Sequence, residues 1–294
     1  MSISLFSNSH GIKPDLSIDD IIPEGIAAMD LAAEASTLLV LTSAGQLRLM
    51  NTAGDILETN RNFRDASSIA WSAVGNYGAA IVRDDKLVCF NRQLDPVWDV
   101  RVTGRINAVA FAPHGGHLAF STDGGRTHIV SIDKKEIAKI DTHRPMDHLA
   151  FLAESPTLIA AAEFGSLAAY DLKGRELWSE NVMTNIGDIS ASGCGRRILL
   201  SAFNHGVQMY NRNGKAKGQF MIDGIPSRVS GAQFKTRLAA LTLEGRVYWL
   251  DFEGTVKWVA DVSADPPEHI RIDPLGNFLF LATRSGRLIK LHWT

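Results

Sequence analysis

Four ionisable residues recur at one phase of the chain and are the first candidates for chemistry. They are His148, Asp188, Arg228 and His269, at spacings of 40, 40 and 41 residues. Two imidazoles and a carboxylate are ligands that divalent transition metals accept, and a guanidinium binds carboxylates or phosphates. The alternative is a solvated rim without a ligand, because most ionisable surface positions have no such task.

A second group of charged residues occupies short polar connections at or before the same phase. Its members are Arg64, Asp65, Arg105, His143, Arg144 and Asp147. Both signs of charge are mixed in this group, which favours contact with another protein over the binding of a single small ion. An ordinary solvated surface has the same composition. We therefore treat the two groups together as a candidate face for a partner or ligand.

Common catalytic and cofactor motifs are missing from the sequence. It contains no Gly-x-Ser-x-Gly, His-Glu-x-x-His or Gly-Lys-Ser/Thr segment, which are patterns of hydrolases, zinc proteases and phosphate-binding loops. We therefore assign no catalytic residue, no cofactor and no metal site. The two cysteines are too few for a disulfide framework; we expect Cys89 to be buried in a strand and Cys194, between two glycines, to be exposed.

The candidate residues belong to a repeat of about 40 residues that runs through the whole chain. One apolar column consists of Met50, Phe90, Val130, Tyr170, Tyr210, Leu250 and Leu291. The position after it is mostly a short polar residue, of the kind that bonds its own backbone at a turn. Three residues further on, glycine recurs to supply a positive φ. This glycine column comprises Gly54, Gly174, Gly214 and Gly254, with Leu94 and Lys134 as exceptions.

Each repeat contains four short strand patterns. The first alternates, as in Val109-Ala-Phe111, and the second is almost wholly apolar, as in Leu38-Leu-Val-Leu41, which is typical of a strand buried on both faces. The third ends at the apolar column, and the polar turn leads into the fourth. Trp98, Trp178 and Trp258 share one position in the fourth strand. Their common phase predicts packing between neighbouring repeats rather than ligand binding.

The repeat resembles those of known propeller families. Residues 106–120 are similar to the opening half of a WD40 repeat, and residues 169–178 and 248–258 resemble the repeat of quinoprotein-type (PQQ-like) propellers. The resemblance implies an all-β fold, a seven-bladed β-propeller with four antiparallel strands per blade. The adjacent cysteine pair of many quinoprotein dehydrogenases is absent, so the resemblance implies no quinone cofactor.

The repeat divides the chain into one propeller domain that spans residues 1–294. The blades lie at approximately 24–63, 64–103, 104–143, 144–183, 184–223, 224–264 and 265–294. Residues 11–23 are predicted to supply the closing strand of the seventh blade, and residues 1–10 form an N-terminal extension. An open seventh blade would leave an unpaired edge, which favours aggregation. We therefore expect the N-terminal strand to complete the C-terminal blade and close the ring.

Composition narrows the classes of function. Among 294 residues, 30 lysines and arginines face 32 aspartates and glutamates, for a net charge of −2. A nucleic-acid partner is therefore not expected, because phosphate affinity needs an excess of basic residues. No signal segment or long apolar stretch predicts export or a membrane, so we expect a cytoplasmic protein.

We interpret the chain as a non-enzymatic scaffold that binds a protein partner through one face and the channel mouth. The short connections between its strands favour this reading, because a rigid framework carries its binding residues on loops. The alternative is an enzyme, or a sensor of a small molecule or metal, that uses the channel-mouth residues.

Overall fold

The structure, a computed structural model, describes residues 5–192 and 195–293. Every regular element within these residues is a β-strand, and neighbouring strands within a sheet pair antiparallel. No helix in this part of the chain has the length and hydropathy needed to span a bilayer. The predicted all-β class is confirmed: in this part of the chain four of the six sheets have four strands, and the other two have five and seven.

The chain divides into two units, a central unit of Ala27–Met183 and a terminal unit of Met1–Ile26 with Thr184–Thr294. Four groups of strands follow one another in the central unit. They are β3 Ile26–Ala32, β4 Thr37–Thr42, β5 Leu47–Asn51 and β6 Ile56–Asn60; β7 Ala66–Trp71, β8 Tyr77–Val82, β9 Lys86–Asn91 and β10 Pro96–Arg101; β11 Ile106–Phe111, β12 His117–Thr122, β13 Arg126–Ser131 and β14 Glu136–Asp141; and β15 His148–Phe151, β16 Thr157–Ala161, β17 Phe164–Asp171 and the first half of β18 Glu176–Ala191.

The terminal unit contains three further groups. They are the second half of β18 with β19 Ile198–Ala202, β20 Gly206–Tyr210 and β21 Ala216–Phe220; β22 Pro226–Gly231, β23 Arg237–Thr242, β24 Arg246–Asp251 and β25 Val256–Asp261; and β26 Pro267–Ile272, β27 Phe278–Thr283 and β28 Arg287–His292. Two N-terminal strands join these sheets. They are β1 Ser9–Gly11, which lies beside β25, and β2 Asp15–Ile21, which lies beside β28.

The burial of the strands follows the repeat. All six residues of the second strand β4 are buried, as are all five of β16 and of β19, because these strands pack on both faces. The polar column forms the predicted turns: Asn51 Oδ1 accepts hydrogen bonds from the N–H groups of Ala53 and Asp55, each at 2.9 Å. Asp171, Asn211 and Asp251 accept the equivalent pairs.

The turn after the polar column requires a left-handed backbone even where glycine is missing. Gly54 and Gly174 have φ of 100° and 79°, and the two exceptions have the same sign, at 64° for Leu94 and 67° for Lys134. A side chain in this region is strained. Leu94 is fully buried, so its packing offsets the strain, whereas Lys134 is exposed.

The tryptophan column packs between sheets, as the sequence predicted. Trp98 in β10 donates its Nε1 proton to the carbonyl oxygen of Ile132 in the following sheet, at 2.6 Å. Trp258 in β25 is fully buried in a core that includes Ile270 and Leu279 of the next sheet. Trp178 is half-buried.

The N-terminal segment pairs with two sheets of the terminal unit. β2 lies antiparallel to β28, in a register from Asp15 opposite His292 to Ile21 opposite Arg287. The Arg287 guanidinium holds both carboxylate oxygens of Asp19 and thereby keeps the pKa of that carboxyl below its usual value. This pairing matches the predicted partner of the C-terminal blade.

The residues before β2 were predicted only as an extension, and the structure gives them a place. β1 pairs with β25, with Gly11 opposite Trp258, and adds a fifth strand to that sheet. Leu5 and Phe6 pack against the core beneath it. Trp293 Nε1 donates to the carbonyl oxygen of Ile12 at 2.9 Å. Residues 5–12 therefore form a strap across this end of the terminal unit.

Of the two cysteines, only Cys89 lies within the described residues. Cys89 lies in β9 and is fully buried, as predicted, and burial raises the pKa of its thiol to about 12. It is therefore a protonated, unreactive side chain at neutral pH. Cys194, for which exposure was predicted, lies outside the described residues.

Candidate functional site

The candidate residues lie at one end of their sheets. We call this the rim end: the end at which the first strand of a group begins and its second strand finishes. Connections from a fourth strand into the next first strand, and turns between second and third strands, also lie there because the strands are antiparallel. The rim residues themselves begin or nearly begin their first strands.

A β-bulge precedes the rim residue in five first strands. The register shifts between Ala66 and Ser68, Ile106 and Ala108, Ile186 and Asp188, Pro226 and Arg228, and Pro267 and His269. In β15, Asp147 donates its N–H to the Ala161 oxygen at 2.8 Å while His148 also pairs with Ala161. Because a bulge redirects the side chain beside it, this irregularity determines the direction of the rim residues.

Asp188 in β18 links two neighbouring first strands. Its Oδ1 accepts from the N–H of Ile189 at 2.9 Å and its Oδ2 from the N–H of Val229 in β22 at 3.2 Å. Both residues that donate these N–H groups are buried. Two residues further along β18, Ser190 Oγ accepts a hydrogen bond from the N–H of Gly231 in β22. Both carboxylate oxygens therefore bind backbone N–H groups, and fewer of their lone pairs are available to a ligand.

Arg228 in β22 makes the reciprocal contact. Its Nη1 donates to the carbonyl oxygens of Gly187 at 3.2 Å and Ser227 at 3.0 Å. Its other guanidinium nitrogens have no hydrogen-bond partner within residues 5–192 and 195–293. The structure therefore brings Asp188 and Arg228 together, and it leaves a cation with open donors at this position.

The two rim histidines occupy equivalent positions in different units. His148 begins β15 in the central unit, and His269 lies in β26 of the terminal unit, opposite Ala282. Both are half-buried. Among the described residues, no group of three or more His, Cys, Asp or Glu side chains is arranged to hold a metal ion.

The charged loop residues of the central unit are partly fixed by bonds to one another. Asp65, with φ of 63°, accepts from Arg83 Nε at 3.1 Å across the rim end of its sheet. Arg64 beside it is exposed. This ion pair is solvent-exposed and contributes little stability, so the charges remain available to a partner.

A second loop group is tied together by Asp147. Its Oδ1 accepts from Asn107 Nδ2 of the preceding sheet at 3.0 Å, and its Oδ2 accepts from Glu163 N–H at 2.8 Å. Arg105 is exposed and donates from Nε to Asn107 Oδ1 at 3.3 Å. Asp147, like Asp188, is thus a structural acceptor between sheets.

His143 and Arg144 complete the predicted group. Both are exposed, and His143 has a left-handed backbone with φ of 55°. Arg144 Nη1 donates to the carbonyl oxygen of Phe164 at 3.0 Å. Phe164 is 61% exposed and Met183 is 89% exposed, and the backbone next to Phe164 runs against that of Val182. Two exposed apolar side chains therefore lie on backbone segments close to the arginine.

The terminal unit exposes a larger apolar group at its rim end, which the search for ionisable residues missed. We define the apolar loop patch as Phe203, Met221, Ile225 and Leu243. Met221 is 66% and Leu243 59% exposed. Leu243 N–H donates to the Ile225 oxygen at 2.9 Å, and Phe203 N–H donates to the Asn185 oxygen at 3.0 Å. These bonds fix the backbone of Phe203, Ile225 and Leu243.

The repeat itself carried a signal for this patch. One turn column reads Ser43, Arg83, Asp123, Glu163, Phe203, Leu243 and Arg284. Turns at a protein surface favour polar residues, so phenylalanine and leucine in two consecutive members depart from the repeat. A comparison of columns for unexpected apolar residues would have found them.

Comparisons with known proteins identify the fold. No family model matches the chain, and no curated protein matches it. Among solved structures, it is similar to the crystal structure of the Cps50 (Swd1) β-propeller domain of Myceliophteria thermophila, with a TM-score of 0.80 and 15% sequence identity. The alignment covers 95% of this chain and 100% of that one. At this identity the likeness concerns the fold alone, and it shows that the chain folds as a β-propeller.

Proposed function

We propose that the chain is a seven-bladed propeller that acts as a non-enzymatic scaffold and binds a protein partner through its rim end. The seven strand groups, four in the central unit and three in the terminal unit, support the blade number. The pairing of β2 with β28 supports closure of the ring by the N-terminal strand. A cytoplasmic location remains part of this proposal.

Closure is tested by removing the closing strand. Deletion of residues 1–22 takes away β2 and exposes the edge of β28, and it also removes the strap over β25. We expect a large loss of thermal stability or solubility, because the exposed edge and apolar flanks favour aggregation. An unchanged melting temperature would contradict closure.

The observation that carries the binding proposal is the apolar loop patch. Met221, Ile225 and Leu243 are exposed, Phe203 is half-buried, and the turn that contains Phe203 lies against the Met221 backbone at Gly206. Exposed large apolar side chains on neighbouring loops are typical of interaction sites. Arg228 nearby offers open donors to a polar group at the margin, and apolar centres with polar rims are the usual composition of an interface. Within residues 5–192 and 195–293, the connections between strands are short turns rather than long loops that could act as a lid.

The experiment compares the two ends of one sheet. A photo-crosslinking amino acid replaces Leu243 at the rim end, and in a second protein it replaces Phe234. Phe234 is 73% exposed in the turn at the opposite end of the same sheet. After irradiation in cells, we expect a discrete protein adduct at position 243 and none at position 234. Equal labelling at both positions, or none at 243, contradicts a specific rim-end interface.

A substitution on the same patch completes this test. Leu243→Asp places a charge in the apolar patch, and Phe234→Asp is the matched control. We expect the first substitution alone to abolish recovery of the crosslinked partner. Both variants should unfold as the parent does, since both side chains are exposed.

The alternative function is the binding of a small ligand or metal at the rim. The feature that supports it is Arg228, whose open donors suit an anion. Metal analysis and native mass spectrometry of the purified protein test it. A stoichiometric ion or small molecule that disappears on His148→Ala and His269→Ala substitution would favour this function over the scaffold.

A further inference from the structure

A cavity of about 430 Å³ lies in the central unit between β14 and the facing strands β17 and β18. It opens at the rim end beside His143 and extends along the edge strand β14. Its floor contains Ile140 and Ala168, and polar side chains surround them. A volume of this size is typical of ligand pockets. Its lining includes His143 of the charged loop group but none of His148, Asp188, Arg228 and His269.

The cavity exists because the repeat carries small residues at two columns of β17. Ala168 stands in a column that otherwise holds Arg48, Val88, His128, Gln208, Tyr248 and Ile289. Ser166 stands in a column that holds Gln46, Lys86, Arg126, Gly206, Arg246 and Arg287. In β24 the equivalent side chain, Tyr248, crosses the gap and donates its hydroxyl proton to the Asp223 oxygen at 2.9 Å. The same gap beside β17 is open.

A buried phenol faces this space. Tyr170 is 5% exposed and lines the cavity, and its hydroxyl makes no hydrogen bond with any described residue. Burial, and then the charge of Glu176, raises the pKa of Tyr170, so the hydroxyl stays a donor at neutral pH. The hydroxyl itself is open to solvent in the cavity rather than enclosed by protein, so a guest that accepts this hydrogen bond would take the place of water.

The remaining lining combines donors and acceptors. Lys139 and the Ser166 hydroxyl have no side-chain partner in the described structure, whereas Glu176 accepts from Ser179 at 2.7 Å. A carboxylate guest would meet the charges of Glu176 and Asp141. A cationic guest would meet that of Lys139, and Asp141 is already paired with Arg126 at 3.5 Å. A neutral carboxamide, which accepts at oxygen and donates at nitrogen, complements both sides.

The strand beside the cavity offers its backbone as well. β14 ends its sheet, and no described strand pairs with its outer side. The equivalent edge strand, β25, already receives an extended segment, since β1 pairs with it at residues 258–260. That segment also inserts Phe6 beside Trp258, with ring centroids 5.7 Å apart. The chain thus shows at β25 how an extended peptide with an inserted side chain occupies such an edge.

We propose that this groove binds an extended segment of a partner protein, which adds as a fifth strand to β14 and places a Gln or Asn side chain in the cavity. Strand addition supplies affinity through main-chain bonds, and a side-chain pocket supplies specificity. The proposal rests on the scaffold function above and specifies one contact of the partner.

The test selects peptides from a random 12-residue phage library on the wild-type protein. Ala168→Tyr fills the cavity with the residue that β24 already uses, and Gln208→Tyr places the same side chain in the same column of β20 as the matched control. We expect enriched peptides to share a Gln or Asn and to bind wild type and Gln208→Tyr equally by fluorescence anisotropy. Binding to Ala168→Tyr should be at least tenfold weaker.

Tyr170→Phe tests the same site if Ala168→Tyr misfolds, because it removes only an unpartnered hydroxyl. We expect about fivefold weaker binding, the effect of one neutral hydrogen bond, with unchanged unfolding. The proposal is overturned if no peptide is enriched, if the peptides lack an amide residue, or if they bind Ala168→Tyr within threefold of wild type. A wild-type dimer that Ala168→Tyr dissociates would assign the groove to a second copy of the chain instead.

The outcome is separable from that of the scaffold proposal. If a partner crosslinks at position 243 and Ala168→Tyr leaves that adduct and all peptide binding unchanged, the scaffold proposal stands and the groove proposal fails. If peptides bind the groove but no adduct forms at position 243, the groove is the binding site and the rim-end patch is not.

Discussion

Removal of the Asp188 carboxylate decides whether this rim residue supports the fold or binds a ligand. The carboxylate accepts from two buried backbone N–H groups, those of Ile189 and Val229. A hydrogen bond to a charged group contributes about 1.5–3 kcal/mol. The bond to Ile189 is local and adds less, so we expect Asp188→Ala to lower the free energy of unfolding by about 2–3 kcal/mol. Asp188→Asn, which keeps one acceptor oxygen, should lose about half as much.

The matched control is Ser190→Ala. Ser190 bridges the same two strands through one neutral bond, from Gly231 N–H at 3.0 Å, and its loss should cost about 1 kcal/mol. Urea unfolding followed by far-UV circular dichroism gives both differences. Hydrogen exchange at the Val229 amide adds a local measurement, since only Asp188→Ala removes its acceptor.

A role of Asp188 in the fold requires a measurable loss of stability when its carboxylate is removed. A loss of less than about 0.5 kcal/mol in Asp188→Ala, the range of ordinary surface substitutions, together with unchanged exchange at Val229, would refute it. If the same variant also lost a bound ion or partner, Asp188 would return to the candidate ligand residues.

Three further predictions concern the framework. Lys134→Gly should raise the free energy of unfolding by about 0.5–1 kcal/mol in urea titrations, because relief of left-handed strain exceeds the added chain entropy; Lys134→Ala keeps the strain and should show no gain. The depressed pKa of Asp19 beside Arg287 means that their pairing stabilises the native state above about pH 4 and is lost as the pH falls through the lowered pKa; Asp19→Asn should flatten this part of a stability–pH curve, and an unchanged curve contradicts the pairing. Trp98→Phe removes the bond to the Ile132 oxygen and should cost about 1 kcal/mol, whereas a cost near zero in thermal unfolding would show that burial alone retains the ring.

Local patterns made the strands and turns predictable. The period-two segments, the apolar second strands and the polar turn column each depend on residues close in sequence. Trp98 was assigned to packing because its column is shared, and the bond to Ile132 bears this out. Strands, turns and the packing of Trp98 depend only on one repeat and the next one, so the residue pattern is enough to predict them.

The role of Asp188, the partner of the strap and the cavity depend on three-dimensional contacts, which the columns of the repeat do not specify. Asp188 was selected as a ligand candidate for its charge, whereas a preceding bulge directs its oxygens to backbone N–H groups. The strap of residues 5–12 lies outside the repeat, so no column predicted its partner β25. The cavity beside Ala168 arises where the repeat has a small side chain. That position indicates a cavity only once the side chains that face it are known.

The pairing of β2 with β28 has a consequence for biosynthesis. Asp19 and Arg287 are 268 positions apart, so at 5–20 residues per second a ribosome makes the second roughly 10–50 s after the first. During that interval the central unit, which is continuous in sequence, is synthesised and completed, and β2 still has no partner. A nascent chain therefore carries an unpaired strand for seconds, and such segments are those that chaperones protect. Slow codons late in the message would lengthen this exposure and lower the yield of folded protein.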